Sequence, residues 1–174
     1  MNILARFQLI KTFVFDVDGV LTDGSLLIDY ENKWLRRMNI KDGYALQLAI
    51  KCGYRIAIIS GSDAPPVSER LFKLGITDVF MKVTDKESLL RNYMLQNNLD
   101  KAETLFMGDD IPDYRCMMML AGFPCCPADA AIEIKKISSY ISPLAGGCGC
   151  VRDVIEKVMK LNNNWPLDAL VPSA

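Results

Sequence analysis

The 174-residue sequence contains no histidine. Histidine is the usual proton shuttle near neutral pH, so an enzyme with this sequence must use carboxylates, lysine or a metal ion for acid–base chemistry. No apolar run is long enough for a membrane-spanning helix. Arg6, Gln8 and Lys11 interrupt the apolar residues near the N-terminus, which argues against a secretory signal. We therefore expect neither a membrane protein nor a secreted one.

The sequence also lacks a basic excess and a disulfide or zinc pattern. Its formal net charge is −1, so no nucleic-acid partner is expected. The six cysteines include no CxxC pair, and we interpret them as reduced thiols in a cytoplasmic protein. Cys148 and Cys150 form a CxC, but there is no histidine to complete a soft-metal site.

What is present is the composition of an ordinary globular protein. Hydrophobic residues make up 51% and charged residues 24% of the chain, which excludes a disordered protein. The length fits one domain over residues 1–174, with an irregular C-terminal arm at about 162–174.

Short apolar runs, each followed by turn residues, alternate with segments of helical spacing. The runs predict strands at 12–15, 55–59, 79–83, 104–107 and 123–126. The other segments predict helices at 42–51, 65–74, 86–97, 111–120 and 151–161. This alternation is typical of a parallel sheet covered on both faces, and we predict a doubly wound α/β domain. Residues 25–39 depart from the pattern and predict a β-hairpin flap.

Polar side chains follow four of the predicted strands. In open α/β sheets, ligands bind beyond the carboxyl ends of the strands. Those ends provide Asp16 and Asp18, then Ser60-Gly61-Ser62, then Lys86, and then Asp109 and Asp110 with Asp113 close behind. Carboxylates that are clustered repel each other and stay ionised together only beside a cation. Oxygen ligands of this kind suit Mg²⁺, a carboxylate can form an aspartyl-phosphate, and lysine stabilises phosphoryl charge.

Each of these features also has a purely structural explanation. An Asp-x-Asp after a strand is common in turns, and Ser60-Gly61 fits a simple turn. Asp110 before Ile111-Pro112 fits a helix N-cap, and Lys86 fits a solvated first helical turn. Their shared placement at strand ends favours a site.

DVDGVLTDG, ISGS, Lys86 and GDDIPD together resemble the four motifs of the haloacid dehalogenase superfamily of phosphatases. NIKDG (39–43) and AGGCGCVRD (145–153) are similar to segments of its capless branch, which contains the 3-deoxy-manno-octulosonate 8-phosphate (KDO-8-phosphate) phosphatases. The resemblance covers about residues 11–160. It implies a Mg²⁺-dependent phosphoric monoester hydrolase of lipopolysaccharide sugar synthesis with no cap domain.

The resemblance also implies roles for individual residues. Asp16 is expected to be the nucleophile and a metal ligand, and Asp18 the general acid/base that also offers the metal its backbone carbonyl. Ser60 is expected to bind the phosphoryl group, Lys86 to pair with nucleophile and phosphate, and Asp109 to complete the metal ligands. Supporting roles fall to Asp110 and Asp113, and Asp113 has orientation of Lys86 as an alternative role.

The substrate and the assembly are less defined by the sequence. A phosphorylated keto-acid sugar needs cationic partners, and the substrate-binding candidates are Gly61, Ser62, Lys41, Arg70, Lys73 and Arg152. Ser62 and Cys148 stand where the KDO-8-phosphate phosphatases usually have arginine, so a KDN-9-phosphate phosphatase, a generalist and a non-catalytic tetrameric scaffold remain alternatives. The gaps between motifs are too short for a cap domain. The family resemblance implies a homotetramer whose apolar hairpins and C-terminal segments close neighbouring sites; the hairpin folding back on its own domain is the alternative.

Overall fold

A six-stranded parallel sheet forms the centre of the protein in a computed structural model that describes residues 2–166. Two further strands form an antiparallel hairpin. The strands are β1 Thr12–Phe15, β2 Leu27–Ile28, β3 Trp34–Leu35, β4 Arg55–Ile59, β5 Asp78–Phe80, β6 Thr104–Met107, β7 Phe123–Cys126 and β8 Tyr140–Ile141. The order in the sheet is β5-β4-β1-β6-β7-β8.

Helices cover both faces of this sheet. They are α1 Ile3–Leu9, α2 Ile40–Lys51, α3 Pro65–Lys73, α4 Lys86–Gln96, α5 Tyr114–Met119, α6 Ile132–Ile137 and α7 Cys150–Leu161. Side chains of α1, α2, α3 and α7 pack with Phe13 and Phe15 of β1 on one face. Side chains of α4, α5 and α6 pack with Val14 on the other. Because alternate residues of each central strand enter different cores, the strands are apolar throughout.

The predicted doubly wound α/β fold is confirmed, and four of the five predicted strands have the predicted bounds. The strand predicted at 79–83 is wrong at its end, because β5 stops at Phe80. Beyond it Lys82 has a φ of 57°, and the N–H groups of Lys82 and Val83 donate to the carbonyls of Ser62 and Ser60. The apolar residues there line a loop contact instead of extending the sheet.

Three elements were not predicted: α1, α6 and β8. The helix predicted at 111–120 is divided into a 3₁₀ turn, Ile111–Asp113, followed by α5. Pro112 lies within that turn, and it removes one backbone donor. The other predicted helices differ by two residues or fewer at their ends; α2, for example, begins at Ile40 because the Asn39 side chain caps it.

The hairpin is confirmed between β1 and α2. Its turn is held by the Asp29 carboxylate, which accepts from the N–H groups of Glu31 and Lys33. An isolated bridge between Thr22 and Met38 joins its base to the loop after β1. Its apolar side chains are exposed at Leu26, Leu27, Ile28, Trp34 and Leu35.

Within residues 2–166, none of the helices is both long and apolar enough to cross a bilayer. Residues 162–166 of the predicted C-terminal arm follow α7 without regular structure beyond a turn, and residues 167–174 lie outside the described residues.

Candidate active site

The candidate site lies at the carboxyl ends of β1, β4 and β6. β4 and β6 flank β1 on opposite sides. Of the other strands in this sheet, those before β6 in the chain therefore lie on one side of β1, and β6 and the later strands lie on the other. Such a switch point opens a crevice beyond the strand ends. The predicted residues Asp16, Ser60 and Gly108-Asp109 follow those three strands directly.

Asp16 is buried at the end of β1. Its carboxylate accepts a hydrogen bond from the Val17 N–H at 2.6 Å, at the start of the loop Val17–Leu21. Its own N–H donates to the Met107 carbonyl of β6, which fixes the backbone against the neighbouring strand. One carboxylate oxygen is thus held by the main chain and the other faces Lys86.

Lys86 joins two buried carboxylates. Its ammonium lies 3.0 Å from Asp16 Oδ2 and 2.7 Å from Asp113 Oδ1. The other oxygen of Asp113 accepts from the Asp109 N–H at 3.1 Å. Both oxygens of Asp113 are therefore occupied by groups that it orients, which favours the alternative role predicted for it.

Asp109 lies against the loop that follows β1. An ideal Cβ on Gly19 would fall 2.0 Å from Asp109 Oδ2, and Gly19 has a φ of 81°. Only glycine allows this approach and this backbone conformation. The carboxylates of Asp16, Asp109 and Asp113 come within 4.8 Å of one another.

This clustering perturbs the ionisation of the carboxyl groups. Burial, reinforced by the charge of Asp113, raises the pKa of Asp16 to about 8 despite Lys86. Burial, followed by the charges of Asp113 and Asp110, raises the pKa of Asp109 to about 7. Burial alone would lower the pKa of Lys86, but Asp113 and Asp16 raise it. Three carboxylates face one ammonium group, and this excess of negative oxygen donors fits a hard divalent cation.

Ser60 is buried at the end of β4. Its hydroxyl lies 2.9 Å from the Ser62 hydroxyl and accepts from the Ser62 N–H at 3.1 Å. Gly61, between them, is exposed. The two hydroxyls of this turn lie next to the loop after β5, whose Lys82 and Val83 N–H groups donate to the carbonyls of Ser62 and Ser60. The same loop continues to Lys86 at the start of α4.

Known proteins resemble both the sequence and this fold. No family model matches the chain. The 3-deoxy-D-manno-octulosonate 8-phosphate phosphatase KdsC of Escherichia coli (strain K12) is 28% identical over 158 residues, which cover 91% of this chain and 84% of that protein. A probable YrbI family phosphatase from Pseudomonas syringae pv. phaseolica is 32% identical, with a TM-score of 0.88 and coverage of 92% of this chain and 91% of that one.

A third relative has bound ligands. The 3-deoxy-D-manno-octulosonate 8-phosphate phosphatase from Moraxella catarrhalis was solved in complex with magnesium, phosphate and KDO. It is 30% identical to this protein, covers 92% of each chain and has a TM-score of 0.88. This chain belongs to the KDO-8-phosphate phosphatase family of the haloacid dehalogenase superfamily. The predicted family and the predicted class of enzyme, a phosphoric monoester hydrolase, are both confirmed.

One contact in this phosphatase was not predicted. The guanidinium of Arg36, just beyond β3, binds the carboxylate of Asp18 through two nitrogens. The sequence signal available was the alternation Trp34, Arg36, Met38, which places the arginine on one face of a strand otherwise apolar at those positions.

The other predicted site residues separate into near and distant ones. Asp110 is exposed and caps the turn Ile111–Asp113 through the Ile111 N–H, as its structural explanation required. The Arg70 side chain lies against α2 at Gly43. Lys73 lies in the last turn of α3, about 12 Å along the helix from Pro65, and pairs with Glu69 on the surface. Because α3 runs away from the strand ends, this placement does not favour the predicted contact between Lys73 and substrate.

Lys41, Arg152 and Cys148 line a single cleft of about 640 Å³ beside the N-terminus of α7. Arg152 is engaged there by Glu156 and by the ring faces of Tyr44 and Trp165. None of the catalytic candidates lines this cleft. It is nevertheless tied to the loop after β1, because the N–H of Gly147 donates to the Val20 carbonyl.

Proposed function

We propose that this protein hydrolyses KDO-8-phosphate to KDO and phosphate through an aspartyl-phosphate on Asp16. The observation that supports the substrate best is the family likeness to the Moraxella catarrhalis phosphatase, whose structure holds KDO and phosphate. The chemistry is supported by Asp16, which combines a main-chain hydrogen bond with the ammonium of Lys86 at 3.0 Å.

The predicted cofactor, Mg²⁺, is confirmed by that magnesium-containing relative and by the buried carboxylate cluster of this chain. We propose that Asp16, Asp109 and the backbone carbonyl of Asp18 would hold the ion, with Asp110 supporting its water ligands. When bound, Mg²⁺ supplies positive charge that draws electron density from the phosphoryl oxygens. We assign Asp113 to holding Lys86 and the Asp109 backbone, and not to binding the ion, because both of its oxygens already have these partners.

In the first step, a carboxylate oxygen of Asp16 forms a bond to phosphorus while the bond from phosphorus to the sugar oxygen breaks. Asp18 gives its proton to the departing oxygen. Lys86 and the hydroxyl of Ser60, with Ser62 beside it, donate to the phosphoryl oxygens.

In the second step, the oxygen of a water molecule bonds to phosphorus and the bond to Asp16 breaks. The ionised carboxylate of Asp18 takes the proton from that water, which restores its acid form. Inorganic phosphate leaves and the Asp16 carboxylate is regenerated, so the two steps together consume one water per ester.

We propose that Lys41 binds the carboxylate of the sugar acid. Arg152 and Arg70 would contribute positive charge from farther away. Lys41 is exposed beside Cys148, and its charge faces the cleft at α7. Gly61 and Ser62 are proposed to contact the phosphate end. Ser62 and Cys148 stand where the KDO-8-phosphate phosphatases usually have arginine. For this reason the test below also includes a nine-carbon sugar phosphate and a simple phosphate ester.

We further propose a single domain over residues 1–174, a cytoplasmic location consistent with six free cysteines, and a homotetramer. The described part of the chain pairs none of those cysteines. The exposed apolar hairpin supports the assembly.

The test is to measure kcat/KM with Mg²⁺ for KDO-8-phosphate, KDN-9-phosphate and p-nitrophenyl phosphate, with Asp16→Asn as the blank. We expect a preference for KDO-8-phosphate of about tenfold or more, equivalent to about 1.4 kcal/mol of transition-state discrimination. Asp16→Asn should lose turnover while keeping the far-ultraviolet circular dichroism of the parent. A tenfold preference for KDN-9-phosphate would contradict the substrate, and equal low values would indicate a generalist.

A normal rate of turnover in Asp16→Asn would contradict the assignment of Asp16 as the nucleophile. No turnover of any ester by the unaltered protein would instead favour the scaffold.

A further inference from the structure

We propose that Arg36 is a positioning residue for Asp18, through which the hairpin sets the orientation of the acid–base carboxylate. This inference rests on the proposed function, in which Asp18 exchanges a proton with the leaving oxygen and with water. It adds to that function a residue outside the four sequence motifs.

The contact between the two side chains has two points. Arg36 Nε lies 2.6 Å from Asp18 Oδ1, and Arg36 Nη2 lies 3.3 Å from Asp18 Oδ2. A two-point guanidinium–carboxylate pair fixes the plane and the distance of the ionised carboxylate, which is the form of Asp18 that takes the proton from water in the second step. The Asp18 side chain is 39% exposed, whereas that of Arg36 is only 5% exposed. The arginine is therefore the buried, fixed partner and the aspartate is the one that needs orienting.

The position of Arg36 is determined by the hairpin. It directly follows β3, and the bridge between Thr22 and Met38 closes the hairpin base immediately beyond it. Trp34, Arg36 and Met38 line a cavity of about 130 Å³ together with Ala64 and the first turn of α3. Arg36 thus lies between the loop that carries Asp18 and the start of the helix that follows Ser60. A shift of the hairpin would move the guanidinium and, with it, the Asp18 carboxylate.

The adjacent arginine offers a matched control. Arg37 belongs to the same hairpin and also pairs with an aspartate, Asp23, at 2.6 Å. Its side chain is 77% exposed, and Asp23 has no role in the proposed chemistry. Substituting either arginine by methionine removes the same charge and keeps most of the apolar stem.

The experiment is a double-mutant cycle with Arg36→Met, Asp18→Asn and the combined variant, assayed on KDO-8-phosphate and on p-nitrophenyl phosphate. We expect Arg36→Met to lower kcat by about 10- to 100-fold, the cost typical of a misplaced catalytic group. Its KM should change less than about twofold, because Arg36 acts through Asp18. Arg37→Met should keep the parent kcat, and Arg36→Lys should recover part of the loss through a one-point contact. In the Asp18→Asn background, Arg36→Met should cause little further loss.

Several results would overturn the inference. A raised KM with kcat retained would make Arg36 a substrate-binding residue, and multiplicative losses in the cycle would separate it from Asp18. If Asp18→Asn kept full activity, the acid–base role of Asp18 in the proposed function would fail, and this inference with it. A loss in Asp18→Asn without one in Arg36→Met would remove this inference alone. If Arg36→Met does not fold, the same cycle with Arg36→Lys decides, since that variant keeps the buried charge.

Discussion

At the scale of single residues, the site is a problem of buried charge. Lys86 lies between Asp16 and Asp113, and all three side chains are almost completely buried. An ionised group in such a place is tolerated only when partners compensate its lost hydration. With Asp109 close by, the carboxylates outnumber the ammonium, so the lysine is the group whose loss leaves the most uncompensated charge.

Substituting Lys86 by methionine should therefore lower the free energy of unfolding by about 3 kcal/mol or more, because a buried pair loses one member. Asp113→Asn should cost less, since it also removes repulsion from Asp16 and Asp109. Lys73→Met is the matched control: its pair with Glu69 is on the surface, and we expect less than about 1 kcal/mol. Urea denaturation in metal-free buffer measures all three.

The same variants test the site assignment in the enzyme assay. Lys86→Met should abolish most of kcat, whereas Lys73→Met should leave kcat/KM unchanged. A large stability loss in Lys73→Met, or an unchanged free energy in Lys86→Met, would contradict this account of the charge cluster.

At the scale of elements, one carboxylate joins α2 to α7. α7 begins after Gly149, which has no side chain to cap the helix. Asp42 of α2 substitutes for a cap, because its Oδ1 accepts from the Arg152 N–H at 2.7 Å. Its Oδ2 is buried and makes no hydrogen bond within the described residues. Burial accordingly raises the pKa of Asp42 to about 6, although the Arg152 and Gly149 N–H groups lower it.

This gives a prediction for the pH dependence of stability. Because the folded-state pKa lies above the ordinary value of 3.8, ionisation of Asp42 opposes folding. Its stabilising contribution is complete below pH about 4 and is lost as the pH rises through about 6. The free energy of unfolding of the parent, relative to Asp42→Asn, should fall by about 2 kcal/mol between pH 4.5 and 7.5.

Denaturant unfolding of both proteins across that pH range provides the measurement. Asp42→Ala serves as the control for the cap itself, since it should destabilise the protein at every pH. A difference between parent and Asp42→Asn that does not vary with pH would mean that Asp42 keeps an ordinary pKa in the folded protein.

At the scale of the whole molecule, the hairpin exposes more apolar surface than a free flap should. Leu27, Ile28 and Trp34 are each more than half exposed. Exposed apolar surface of this extent is typical of an interaction site. The hairpin also holds Arg36, so an assembly that fixes the hairpin would fix the contact to Asp18.

We expect the parent to be a tetramer and the double variant Ile28→Glu with Trp34→Glu to dissociate. In each protomer, assembly would then have to bury two negative charges where the parent buries the apolar pair of Ile28 and Trp34. Multi-angle light scattering after size-exclusion chromatography gives the masses. Leu95→Glu is the control, since Leu95 is as exposed but lies on α4, away from the hairpin. A monomeric parent, or a tetrameric double variant, would contradict the prediction.

Sequence patterns were most informative for features that depend on a short stretch of the chain. The four motifs placed Asp16, Ser60 and Asp109 just after strands and Lys86 in the segment after β5, because strand, turn and helix signals are all local. The sequence did not show that Lys73 lies at the end of α3 far from the strand ends, because a residue's distance from the sheet edge depends on which way its helix runs. Elements such as α6 and β8 were missed because they are six and two residues long and carry little periodicity.

By itself, the sequence determined the family, the parallel sheet and the carboxylates available for chemistry, since these follow from residue type and spacing. Only the tertiary structure decided which of those groups meet. It formed the Lys86 contacts to Asp16 and Asp113, placed the other oxygen of Asp113 on the Asp109 N–H, and brought Arg36 onto Asp18 from 18 positions away. Such contacts depend on the packing of separate elements, and the pattern of one segment does not record where another segment will lie.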